Sequence, residues 1–306
     1  MALRSYTRAL RVLQEAVSDA DACEDADLIA AVQMLGLREI VDMSPTGAYS
    51  SHVAGSARLV RRRTPAGFTT EYEKLLFLAH MGPAFTEAMY NSEPCYLEEP
   101  AWLRLYESFV DHDSMWLSDR SELVIRIRLQ MLVLNGLLID VGKVVDPNST
   151  PDAMLYLRTE LKTRRAHQIL QDALKDYKTH IYKTSTFHPP ISEINMRREI
   201  FGTAIECLVL YKRMLATMCE AERLQLEAET RVLLDVLVKL GTQQPESKYS
   251  WIYTTQERGV AQVIQLTMLD WEKDLGGLSE REKRVEAWKR WVRLTHYLHA
   301  SDAKRS

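Results

Sequence analysis

Glycine and proline are scarce, with 12 and 10 in 306 residues. A fold of many short strands needs a turn about every eight to twelve residues, and such turns draw on these two residues. Their scarcity excludes a sandwich or barrel and points to long helices with few breaks. Cysteine is also rare. The four thiols, Cys23, Cys95, Cys207 and Cys219, are scattered, and no two stand at CxxC spacing. That excludes a zinc site built mainly from cysteine and reads instead as small apolar side chains in a reducing compartment. Basic residues are not in excess: 39 Lys and Arg face 42 Asp and Glu, a formal net charge of -3. No broad nucleic-acid-binding surface is expected from that balance. The longest apolar run, "LQMLVLNGLLIDVG", is too short and too interrupted to span a bilayer, so no membrane partner is expected. The opening "MALRSYTRALRVLQEA" lacks the apolar centre and small-residue cleavage site of a secretory leader.

The recognisable chemical motifs are missing too. There is no P-loop, GxGxxG, HExxH or GxSxG, and no aspartate-rich helix of the kind that holds magnesium and diphosphate. No cofactor is expected. The segment "VDHDSMWLSD" brings Asp111, His112, Asp113 and Asp119 close in sequence. Asp111 and Asp113 are two apart, however, and would diverge on a helix, so a solvated helix end is expected there rather than a metal site. His296 and His299 share a helix face but read as exposed residues near a charged tail.

What is present is helical periodicity. Leu3, Tyr6, Leu10, Leu13 and Val17 recur at helical spacing, and Asp27 is placed to cap a second helix. Thr70 with Glu73, and Ser279 with Glu282, have the spacing of capping boxes. Pro83 should kink or split the helix that follows Thr70. "AWLRLYESFVDHDSMWL" reads as another helix, and "SELVIRIRLQMLVLNGLL", apolar almost all round, as the central buried one. The pattern predicts an all-α protein, an irregular bundle of about ten or eleven helices. It reads as one body over residues 1–306, with a candidate lobe boundary at the linker near 142–151.

Five residues are candidates for lining a ligand pocket. His80 stands beside Pro83, where a broken helix can border a cavity. Tyr90 and Trp102 belong to a run of aromatics nearby in sequence. Asn135 is polar within an apolar helix, and Asp140 follows "LNGLLI" as a candidate buried acid. Each also has a plain structural reading, as a satisfied core histidine, core aromatics, an interhelical hydrogen bond and a helix-end acid.

The stretch "SSHVAGSARLVRRRTP", Ser51 to Pro65, carries the most information. On a helix His52, Gly55, Ser56, Leu59 and Arg63 share one face, and Val53, Ala57 and Val60 the next. Gly55, Ser56 and Ala57 permit close approach of a neighbour, or of a second copy, while Arg58, Arg61 and Arg62 point to water. The stretch resembles the H-x-x-G-[AS]-x-x-[LI]-[LIV]-x-x-R-x-P segment in the helical regulatory region of fungal zinc-cluster transcription factors. "YTRALRVLQEAV", "DLIAAVQMLGLREIVD" and "FTTEYEKLLFLAHMGPAFTEAMYNSEPCYLEEPAW" are similar to neighbouring segments of that region, in the same order, over about Leu3 to Trp102.

The resemblance implies a transcription-regulator-like domain in the nucleus, acting in fungal secondary metabolism. It would bind a small hydrophobic effector, a protein partner or a second copy. The family's six-cysteine DNA-binding module and basic linker are missing from this sequence, so direct DNA binding is not expected. The chain would then be a truncated factor, a product of incompletely assigned exons or a stand-alone derivative. The alternative is a cytoplasmic biosynthetic enzyme, a metal-independent cyclase or isomerase that reuses the same helical body.

Overall fold

The computed structural model describes residues 2–17, 25–41, 47–146, 148, 152–243, 251–268, 270 and 279–305. Eleven α-helices and no strand occur among them: α1 Ala2–Val17, α2 Ala26–Val41, α3 Ala48–Arg63, α4 Glu71–Asn91, α5 Pro100–Glu107, α6 Glu122–Val145, α7 Ala153–Lys183, α8 Ile191–Met218, α9 Arg223–Thr242, α10 Trp251–Thr267 and α11 Glu280–Arg305. Short 3-10 turns at Pro65–Gly67, Tyr96–Glu98 and Glu220–Glu222 shape three of the connections. Neighbours in sequence are largely neighbours in space. α2 packs on α3, and α6 through α10 form a consecutive series. α11 returns to α4, carrying Trp288 and Trp291 into the main apolar core.

Local chemistry sets the helix ends. At α4 the Thr70 hydroxyl accepts from the Glu73 backbone N–H, and the Glu73 carboxylate accepts from the backbone N–H groups of Thr69 and Thr70. Ser279 and Glu282 repeat this arrangement at α11. At α2 the capping position is Asp25, not Asp27, because the Asp25 carboxylate accepts from the Asp27 N–H at 2.8 Å. α4 runs unbroken through Pro83. The helix expected over "AWLRLYESFVDHDSMWL" stops at Glu107 instead. A loop follows in which Asp111 N–H donates to the Arg120 carbonyl and Asp113 N–H to the Asp111 carboxylate. Asp111 and Asp113 therefore stand on a loop, and Asp119 is drawn to the half-buried Arg128 at 2.6 Å.

The exit from α3 is tighter than a solvated helix end. Arg58, Arg61 and Arg62 are exposed, as their spacing predicts. Arg63 is not: its Nε donates to the Gly67 carbonyl at 2.8 Å and its guanidinium pairs with Glu73. Backbone hydrogen bonds hold the Glu73 carboxyl down at about 2. Between the two partners Thr64 adopts φ 60°, ψ 164°, a region costly for any residue but glycine. On the other side of α3, a Cβ on Gly55 would sit 3.6 Å from Val32, and one on Gly36 of α2 would sit 3.6 Å from His52. The small residues thus bring α2 and α3 together within the chain.

The most enclosed helix is α8, not α6. Every residue from Ala204 to Met218 is buried, including Glu206, Lys212 and Arg213. Lys212 pairs with Glu229, and Arg213 with Glu227 at 3.2 Å and the Thr267 hydroxyl at 2.9 Å. Side chains of α9 and α10 thus neutralise charges that would otherwise forbid burial. The main core draws on residues both before and after Asp146. A smaller apolar cluster joins Ile205 and Val209 of α8 to Leu234, Leu237, Ala261 and Ile264 of α9 and α10.

Candidate functional site

The connection between α4 and α5 lies against α6, and four of the five candidate residues meet along it. His80 is buried between two hydroxyls: Ser56 Oγ lies 3.1 Å from its Nδ1 and Tyr96 Oη 2.8 Å from its Nε2. Burial lowers the His80 pKa to about 4, so the ring is neutral at physiological pH. Tyr96 packs edge-on against Trp102 at 5.5 Å, and Trp102 stacks on Phe77 at 5.9 Å within a cluster that also holds Phe68. Asn135, 1 % exposed, donates to the backbone carbonyl of Glu93. Asp140 pairs with Lys143 at 3.1 Å on the rim of α6. Tyr90 stands apart, 44 % exposed near the end of α4.

Glu98 joins this connection to α6. A Cβ on Gly136 would overlap its carboxyl group, so the glycine is what lets the acid lie on the helix. Desolvation, reinforced by Asp140, raises the Glu98 pKa to about 7. The Ser56–His80–Tyr96 chain and the Glu98 seat are polar structure built into the packing of α3, α4 and α6.

An open groove lies at the junction of α7, α8 and α9. The groove, of about 630 Å³, is lined by Tyr177, Ile194, Arg197, Arg198, Phe201, Leu240 and Gln243. One wall is flat and apolar, with the rings of Tyr177 and Phe201 stacked at 5.3 Å and 20°. Tyr177 Oη donates to the Arg197 carbonyl at 3.2 Å, which fixes the ring. Arg197 bonds through Nε to the fully buried Glu193 at 2.6 Å and through a terminal nitrogen to Thr184 Oγ1 at 2.7 Å. His180 shares the same Glu193 oxygen at 2.9 Å. Arg198 reaches across to α9 and donates to the Leu240 carbonyl at 2.9 Å and the Gln243 carbonyl at 3.3 Å.

Behind Phe201, Gly202 accommodates the carboxyl of Glu257 from α10, where a Cβ would overlap it. Glu257 is 2 % exposed and neither carboxyl oxygen has a hydrogen-bond partner. Desolvation raises its pKa to about 7, against the opposing pull of Arg198. Two guanidinium groups thus stand beside the Glu193 carboxylate and the Glu257 carboxyl, whose burial disfavours its negative charge. The groove keeps a positive bias beside an aromatic wall, which suits a flat apolar molecule carrying one negative charge. It holds no nucleophile with a neighbouring general base.

None of the five sequence candidates lines this groove. Its residues come from three helices, and the one local signal is the run of Arg197, Arg198 and Phe201 on a single turn of α8. Among the described residues no three or more of His, Cys, Asp and Glu gather as a metal site, and no helix is long and apolar enough to cross a membrane. The side chains of His296 and His299, and Cys23, lie outside the described residues.

No family model matches the chain, and no solved structure matches it. An uncharacterized protein of Emericella nidulans is 28 % identical over 109 residues, a stretch that covers 36 % of this chain and 23 % of that protein. The chain thus matches less than a quarter of the length of that curated relative.

Proposed function

We propose that the chain is a ligand-binding regulatory domain whose effector, a small aromatic or alicyclic molecule bearing one anionic group, occupies the groove between α7, α8 and α9. The observation that carries this reading is the pairing of the Tyr177–Phe201 wall with Arg197 and Arg198 at one opening. An apolar wall with few fixed polar groups is the usual composition of a small-molecule site. The resemblance of Leu3 to Trp102 to the fungal regulatory region supports a role in controlling transcription, in the nucleus and in secondary metabolism, through binding rather than chemistry. A biosynthetic cyclase or isomerase is the second reading. The polar groups of the groove favour it less, because they are tied into the protein by hydrogen bonds.

Calorimetric titration with naphthalene-2-carboxylate tests the site. One molecule should bind per chain, and Phe201→Ala and Arg198→Ala should each weaken binding about ten-fold or more. Equal affinity for the uncharged naphthalene-2-carboxamide would rule out the anionic part. Deleting the gene separates regulator from enzyme. Altered transcripts support the former, whereas one accumulating precursor with unchanged transcripts supports the latter.

A further inference from the structure

α7 presents an apolar stripe to solvent at its first half. Met154, Leu157 and Leu161 are 75 %, 57 % and 70 % exposed. Their spacing is that of anchors read by a partner helix, at i, i+3 and i+7. At about 100° per residue the three fall within one narrow sector of the helix. Arg158, Lys162 and Arg165 are also exposed and fall together along one flank of the stripe. No ion pair engages any of them among the described residues, although α7 supplies several others. On the opposite flank Arg164 is neutralised by Glu160 at 2.8 Å and Glu222 at 2.6 Å. The surface is therefore an apolar seam with one basic edge that no ion pair closes among the described residues, although Lys162 lies within electrostatic range of Glu98.

That asymmetry selects the occupant. In an antiparallel pair of identical seams, the two-fold axis would bring basic edge onto basic edge. A parallel pair would set it against the neutral Arg164 flank. Neither arrangement supplies the missing negative charge, which disfavours a second copy. We propose that the first half of α7 is a docking surface for an amphipathic helix of a partner protein, with leucine-type anchors and an acidic flank. Anchors would cover Met154, Leu157 and Leu161, and glutamate or aspartate would meet Arg158, Lys162 and Arg165. The proposal does not rest on the groove, which lies beyond Tyr177 at the other end of the helix.

Two synthetic helical peptides test it on the full chain by fluorescence anisotropy. Both carry leucine at i, i+3 and i+7, one with a glutamate flank and one with a lysine flank. The glutamate peptide should bind at least ten-fold more tightly, and less so as salt rises. Leu157→Ser with Leu161→Ser should abolish binding. Because both leucines are exposed, the variant should keep the wild-type circular dichroism and melting temperature. Arg158→Glu with Arg165→Glu should invert the preference toward the lysine peptide. Equal binding of both peptides, binding that survives the serine variant, or failure of both peptides to bind would overturn the proposal. So would sedimentation showing a dimer that the serine variant dissolves.

Discussion

Glu257 shows how one residue can shape a pH response. Its carboxyl is buried without a hydrogen-bond partner, and its pKa is raised to about 7. A raised carboxyl holds its proton in the fold when the unfolded chain has already lost it. Stability therefore falls as pH climbs from about 4.5 toward 7, and the full cost is present above that window. Glu257→Gln should be close to neutral at pH 4.5 and stabilising by about 1–2 kcal/mol at pH 8. Urea unfolding at the two pH values checks this, and equal effects at both would contradict it. Sequence reading did not single out Glu257, because nothing on α10 reveals that its neighbour on α8 is a glycine. His80 and Asn135 were legible as polar residues within apolar helices. What could not be read was their partners: the connection between α4 and α5 brings Tyr96 to His80 and the Glu93 carbonyl to Asn135, and the packing of α3 on α4 brings Ser56 to His80.

Between elements, the contact of α8 with α10 depends on the space at Gly202. Alanine favours a helix interior over glycine by about 1 kcal/mol, yet here its methyl group must displace the Glu257 carboxyl. Gly202→Ala should therefore destabilise the wild-type chain. In a Glu257→Ala background the same substitution should become stabilising by up to about 1 kcal/mol. A double-mutant cycle by thermal or urea melting reads the coupling, and additive effects would show that the carboxyl is not seated on Gly202. The helices themselves were largely legible, since capping boxes and apolar periodicity act within a few residues of chain. Which helix is most deeply buried was not. α6 reads as the central one because its apolar residues are continuous. α8 is more enclosed because Glu229 and Thr267, on other helices, accept from its Lys212 and Arg213, and Glu227 pairs with Arg213.

At the scale of the whole molecule, the apolar interior divides unevenly. The large core gathers side chains mainly from α2 through α8 and from α11, with only Leu226 buried in it from α9 and Val263 from α10, while the small cluster is confined to α8, α9 and α10. Fewer buried contacts give a lower opening free energy, so the amides of α9 and α10 should exchange with solvent before those of α6 and the Ala204–Met218 part of α8. Hydrogen exchange read by mass spectrometry would show two stages, and a single common stage would mean that the clusters open together. The groove takes its lining from α7, α8 and the end of α9, which explains why no local pattern announced it. A last consequence concerns the arginine run that closes α3. A trypsin-like protease meets three consecutive cleavage residues there, two of them exposed, but must thread an extended strand through its active site. α3 offers a helix clipped shut by Arg63, Glu73 and the turn at Thr64. Cutting at Arg61 or Arg62 therefore counts the molecules in which that clip has sprung, and a nick there would be a record of opening rather than of exposure.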